Sequence, residues 1–78
     1  MGFLSTKPGF TDAYHVDASG DEYHGRALKG STVDNPRWQI IKVEYTGKNW
    51  IVKFPDGSDE PKFVWSSVET YDYRMLGL

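Results

Sequence analysis

Residues 37–73 read RWQIIKVEYTGKNWIVKFPDGSDEPKFVWSSVETYDY. Trp38, Ile40, Ile41, Val43 and Tyr45 form a β-branched and aromatic run. After the short TGKN loop with Gly47, Trp50, Val52 and Phe54 alternate with Ile51 and Lys53. Successive strand side chains point to opposite faces, so apolar residues spaced by two on either side of a glycine-containing turn specify a hairpin. In the first run Ile41, Val43 and Tyr45 share one face and Trp38 and Ile40 the other, which predicts a strand covered on both sides at its beginning and on one side at its end. Trp50, set among apolar neighbours, is expected in the core, whereas Trp38 suits either the core or a contact surface. Beyond Phe54, PDGS places Pro55, Asp56 and Gly57 at successive positions of a turn. A type I turn followed by a left-handed Gly57 is expected there, closing a second tight hairpin. Lys62–Trp65 then reads as a short strand or a single helical turn, and Val68–Tyr73 as a final strand.

Upstream, DAYHVDASGDEYHGRALKG from Asp12 reads as a looser hairpin, with Tyr14–Val16 and Tyr23–Leu28 as strands around the polar loop DASGDE. Lys29–Pro36 is rich in turn formers, and Pro36 pushes Asn35 toward extended backbone, so this is a connecting loop long enough to make contacts. Met1–Thr11 has two glycines, a proline and no sustained periodicity, and is expected to be an arm outside a barrel that begins at residue 12. The arm nevertheless carries Phe3, Leu4 and Phe10, which would order either on a neighbouring subunit or back on the same barrel. At the other end Tyr71 and Tyr73 alternate, followed by Met75, Leu76 and Leu78, as either a packed strand or an apolar tail that docks on a neighbour. The sum is five or six short strands with little helix, an all-β, SH3-like or related small barrel.

Seventy-eight residues make one domain, and a chain this short buries only about 60% of its unfolded surface, so a bound neighbour is an obvious source of stability. There are no cysteines, hence no disulfide or thiolate site and no sign of redox compartment. No window is apolar enough to span a bilayer, and Met1–Phe10 lacks the basic start and apolar core of a signal peptide, so synthesis in the cytoplasm is expected. The formal net charge of −2 and the scattering of nine basic residues argue against a nucleic-acid partner. Aromatic residues reach 15%, more than so small a core encloses easily, and surplus rings mark interfaces.

Catalytic and metal chemistry find little to work with. His15 and His24 flank the DASGDE loop and, with Asp17 or Asp21, could form a two-histidine, one-carboxylate set, but the spacing is unspecific. Asp17, Asp21 and Glu22 lack the alternating ligands of a calcium loop. Asp56, Asp59 and Glu60 sit at an expected hairpin tip, the reverse of the cleft that general acid–base work needs. No nucleophile-elbow or phosphate-cradling glycine pattern occurs. Neither an enzyme nor a cofactor is expected.

The order Tyr23, Gly25, Ala27, Gly30, then Trp38, Ile40, Lys42, then Asp56-Gly57, then Phe63 with Val64-Trp65 and Tyr71 resembles a group of short proteins encoded by tailed bacteriophages and prophages. In that group Y-x-G-x-A, W-x-I-x-K, D-G and V-W segments recur in this order. The similarity covers about two thirds of the chain and departs from the pattern after the Val-Trp, where Ser66, Ser67, Val68 and Glu69 follow in place of acidic residues and an Arg. The resemblance implies a non-enzymatic structural component of the virion, at the head, connector, tail or fibre, present in several symmetric copies and binding other virion proteins. Phe3, Leu4, Phe10, Trp38, Tyr71, Tyr73, Met75, Leu76 and Leu78 are the expected contacts. The alternative is an SH3- or Tudor-like adaptor that takes a peptide or nucleic acid on an aromatic face.

Overall fold

The computed structural model describes residues 9–78, leaving Phe3 and Leu4 of the expected contacts outside the described residues. Six antiparallel strands follow in order: β1 (Phe10–Val16), β2 (Glu22–Leu28), β3 (Pro36–Thr46), β4 (Asn49–Pro55), β5 (Phe63–Val64) and β6 (Tyr73–Arg74). A 3-10 helix, Trp65–Thr70, separates the last two. The ladder runs β1-β2-β3-β4-β6, and β5 pairs separately with the start of β3. The molecule is all-β, and among the described residues the ladder does not close, since β1 and β6 are not joined.

Register decides which side chains meet. Gly25 lies opposite Ala13 on β1 and Ile40 on β3, and Tyr23 opposite His15 and Lys42. The period-two sets Tyr23-Gly25-Ala27 and Trp38-Ile40 therefore share one face, and directly opposed residues pack together. Phe63, Trp65 and Val68 cover that face and complete the core, with Ala13, Tyr71 and Tyr73 packed against it. The close approach depends on Gly25: a Cβ there would lie 2.5 Å from the Trp65 ring. Trp38 and Trp65 in turn pack at 5.7 Å between ring centroids.

Several expectations are corrected. The strand ladder starts at Phe10, two residues inside the expected arm, because Phe10 and Thr11 pair with Leu28 and Ala27. Val68–Tyr73 is not a strand: Trp65–Thr70 forms the 3-10 helix and strand pairing is confined to Tyr73–Arg74. The PDGS turn differs too, since Asp56 (φ 52°) as well as Gly57 (φ 72°) is left-handed, whereas a type I turn needs negative φ at its third position. The turn does not close a hairpin either; β5 goes back to Trp38 on β3 and β6 pairs with Phe54 and Pro55. Trp38, 2% exposed, is core and not a contact residue, and its indole N–H donates to the Thr32 carbonyl at 3.0 Å. Trp50, expected in the core, is 62% exposed.

Candidate protein-interaction face

The displacement of Trp50 has a register cause. Tyr45 pairs with Trp50 and Val43 with Val52, on the face opposite Trp38 and Ile40. Extending these rows, Val43 lies opposite Glu22, which lies opposite Val16, while Ile41 lies opposite His24, which lies opposite Tyr14. The outer side of the four-stranded sheet thus gathers Tyr14, Val16, Ile41, Val43, Tyr45, Trp50 and Val52. Ile41, Val43 and Val52 are half-buried by one another, and Tyr14, Val16, Tyr45 and Trp50 stand exposed. Glu22 and His24 of β2 run between the Tyr14-Val16 row and the Ile41-Val43 row, and a mixture of exposed aromatic and polar groups of this kind is what protein-contact surfaces present.

Its polar side chains are hydrogen-bonded to one another. Arg26 donates two hydrogen bonds to Asp12, from Nε at 2.7 Å and Nη2 at 3.1 Å, and these hold the Asp12 carboxyl below the usual aspartate range. Glu22 and His24 meet at 3.2 Å. Partial burial pushes the phenols of Tyr14 and Tyr45 up, and the Glu22 carboxylate between them adds to the rise. Both phenols stay neutral donors at ordinary pH.

The opposite side of the β3–β4 hairpin is polar where it extends past the core. Lys53 bonds Glu44 at 2.9 Å and Lys42 approaches Glu44 at 3.2 Å, which holds the Glu44 carboxyl below its usual range, Lys53 having the larger effect. Lys42 also sits over the Tyr23 and Tyr73 rings at 5.5 and 5.6 Å. The Tyr23 hydroxyl donates to Asp17 at 2.7 Å, and burial followed by this carboxylate raises its pKa far above that of an exposed tyrosine.

The remaining expected contacts are dispersed. Phe10 stacks beneath the Arg26 guanidinium at 5.7 Å and lines, with Leu28, Arg37 and Pro61, a groove of about 450 Å³. Tyr71 and Tyr73 are half-buried on the core; the Tyr71 hydroxyl accepts from the Val64 N–H at 2.8 Å, and the Tyr73 hydroxyl donates to the Val68 carbonyl at 2.6 Å. Met75, Leu76 and Leu78 have exposed side chains, but their backbone turns back on the same molecule, where the Gly77 N–H donates to the Gly57 carbonyl at 2.8 Å. The loop after β2 is tied to the 3-10 helix by the Ser66 N–H, which donates to the Val33 carbonyl at 2.9 Å, while the Val33 side chain stays exposed.

His15 and His24 do not converge, because His15 lies opposite Tyr23 and His24 opposite Tyr14, which puts the two rings on opposite faces. His15 instead contacts Glu69 at the end of the 3-10 helix. Among the described residues no three His, Cys, Asp or Glu side chains gather as a metal site, and no helix is long and apolar enough to cross a membrane. Asp56, Asp59 and Glu60 are exposed.

Sequence reasoning missed the contact potential of Tyr14, Val16, Tyr45 and Trp50. The signal was present in the alternation that separates Tyr45 from Trp38, but it needed the knowledge that Trp38 faces inward. Compared with protein-family models, curated proteins and solved structures, the chain gives no significant match.

Proposed function

We propose that the chain is a non-enzymatic structural component of a bacteriophage particle that binds neighbouring virion subunits through the outer face of its sheet. The observation that supports binding is the placement of Tyr45 and Trp50 on an exposed apolar face while a different set of residues fills the core. A side chain kept out of the core at such cost in solvated apolar surface gains only when a partner covers it, at about 25 cal/mol per Å². The phage assignment rests on the Y-x-G-x-A, W-x-I-x-K, D-G and V-W resemblance. The matching fold reading is an SH3-like barrel, supported by the sharing of β3 between β2 and β4 at one end and β5 at the other, and by the 3-10 turn before a short last strand.

Mass spectrometry of purified particles tests the proposal. The chain should be present at fixed, symmetric copy number, and its absence would exclude a virion role. The adaptor reading is favoured by the groove beside Phe10 and Leu28, whose size falls in the range of small-ligand sites. An adaptor would be missing from particles while still binding a peptide in solution.

A further inference from the structure

We infer that the partner of the outer sheet face is a second copy of this chain, packed face to face about a two-fold axis; the inference rests on the face being an interface at all. Area is the first argument. An aromatic side chain presents about 150–250 Å², so Tyr14, Tyr45 and Trp50, at 40, 49 and 62% exposure, expose on the order of 300 Å² together. Val16 and the half-buried Ile41, Val43, Val52 and Phe54 bring the apolar area to roughly 500 Å², the upper part of the range for the largest patch on a monomer. A stable two-chain contact needs about 800 Å² per partner, about 60% of it apolar. The apolar part of the face is thus about one partner's share of such a contact, and a second copy brings an equal area to it.

Charge is the second argument. A two-fold contact sets each patch against itself, so a face of one sign would repel its copy. Here the face carries both signs, with Arg26 paired to Asp12 and Glu22 hydrogen-bonded to His24. Along β2 the order is Glu22, His24, Arg26, so two sheets crossing with strands reversed bring the Glu22 end of one copy toward the Arg26 end of the other. Packed sheets lie about 10 Å apart with aligned strands, a distance that the Trp50 and Tyr45 rings span.

Sedimentation of the full chain from micromolar to millimolar concentration, with tryptophan emission followed in parallel, tests the inference. The expected result is a concentration-dependent shift from one-chain to two-chain mass, accompanied by a blue shift of emission. Trp38 and Trp65 are already buried, so such a shift reports Trp50. Trp50→Lys should remain at one-chain mass with an unchanged far-ultraviolet circular dichroism spectrum, and Tyr45→Lys serves in its place if that variant does not fold. A wild-type chain that stays monomeric at millimolar concentration, or a dimer that survives both substitutions, overturns the second-copy partner. Presence in purified particles with no self-association would leave the virion role standing without it, whereas a dimer absent from particles would remove that role and keep the dimer.

Discussion

At Gly25 the sheet has room for a hydrogen and nothing larger. A Cβ would meet two carbons of the Trp65 ring at 2.5 and 2.6 Å and one of Trp38 at 3.1 Å. Both rings are buried and packed on each other, so neither can swing away without opening the core. Gly25→Ala should cost about 2 kcal/mol, the middle of the range for overpacking a filled core, and should lower the urea midpoint without changing the slope. An unchanged midpoint would mean that Trp65 is not seated over β2. Gly57 is constrained differently, by a φ of 72° and by the Leu78 backbone about 3 Å from where a Cβ would stand. Gly57→Val should cost about 1 kcal/mol or more from backbone strain and should also free the last residues from the turn, visible as faster amide exchange at Gly77.

Between elements, three carboxylates hold strands and loops together, and each titrates below its ordinary value. Asp12 is held down chiefly by the hydrogen bond from Arg26 across β1–β2, Asp17 by the Tyr23 hydroxyl, and Glu44 by Lys53 across β3–β4. A group whose folded pKa is depressed contributes stability that is present above its unfolded value and is lost as pH falls through the folded one. The urea midpoint should therefore be level from neutral pH to about pH 5 and fall progressively below about pH 4. A midpoint as high in strong acid as at neutral pH would show that these pairs contribute nothing. The 3-10 helix matters at this scale as well. It carries Trp65 and Val68 into the core and meets β1 through the contact between His15 and Glu69.

For the whole molecule, the ladder defines where the fold begins. Because pairing starts at Phe10, removal of residues 1–8 should leave the β-rich circular dichroism spectrum and the unfolding midpoint nearly unchanged, whereas removal of residues 1–11 takes Phe10 and Thr11 out of β1 and should lower the midpoint. Equal midpoints for the two truncations would place the start of the fold later, at the arm boundary expected from sequence. The same comparison bears on assembly: the shorter truncation isolates any contribution of Phe3 and Leu4 to particle incorporation from that of strand β1.

Much of the architecture was legible without coordinates. The alternation in residues 38–54 specifies the β3–β4 hairpin, the PDGS sequence marks Gly57 as left-handed, and the tyrosine-rich pattern around DASGDE specifies the hairpin of β1 and β2, because period-two patterning and turn chemistry are local properties. The choice of core face was not local. The beginning of β3 is apolar on both sides, and Phe63, Trp65 and Val68, arriving from beyond the PDGS turn, cover the Trp38-Ile40 side and leave Trp50 and Tyr45 in solvent. That turn sends the chain back to β3 and then to β4, so the last third makes its pairings with strands distant in sequence, where propensity carries no information about the partner. Strand positions and turns follow from residue order alone; which face is inside, and hence which aromatic side chains can meet a partner, is decided by long-range pairing.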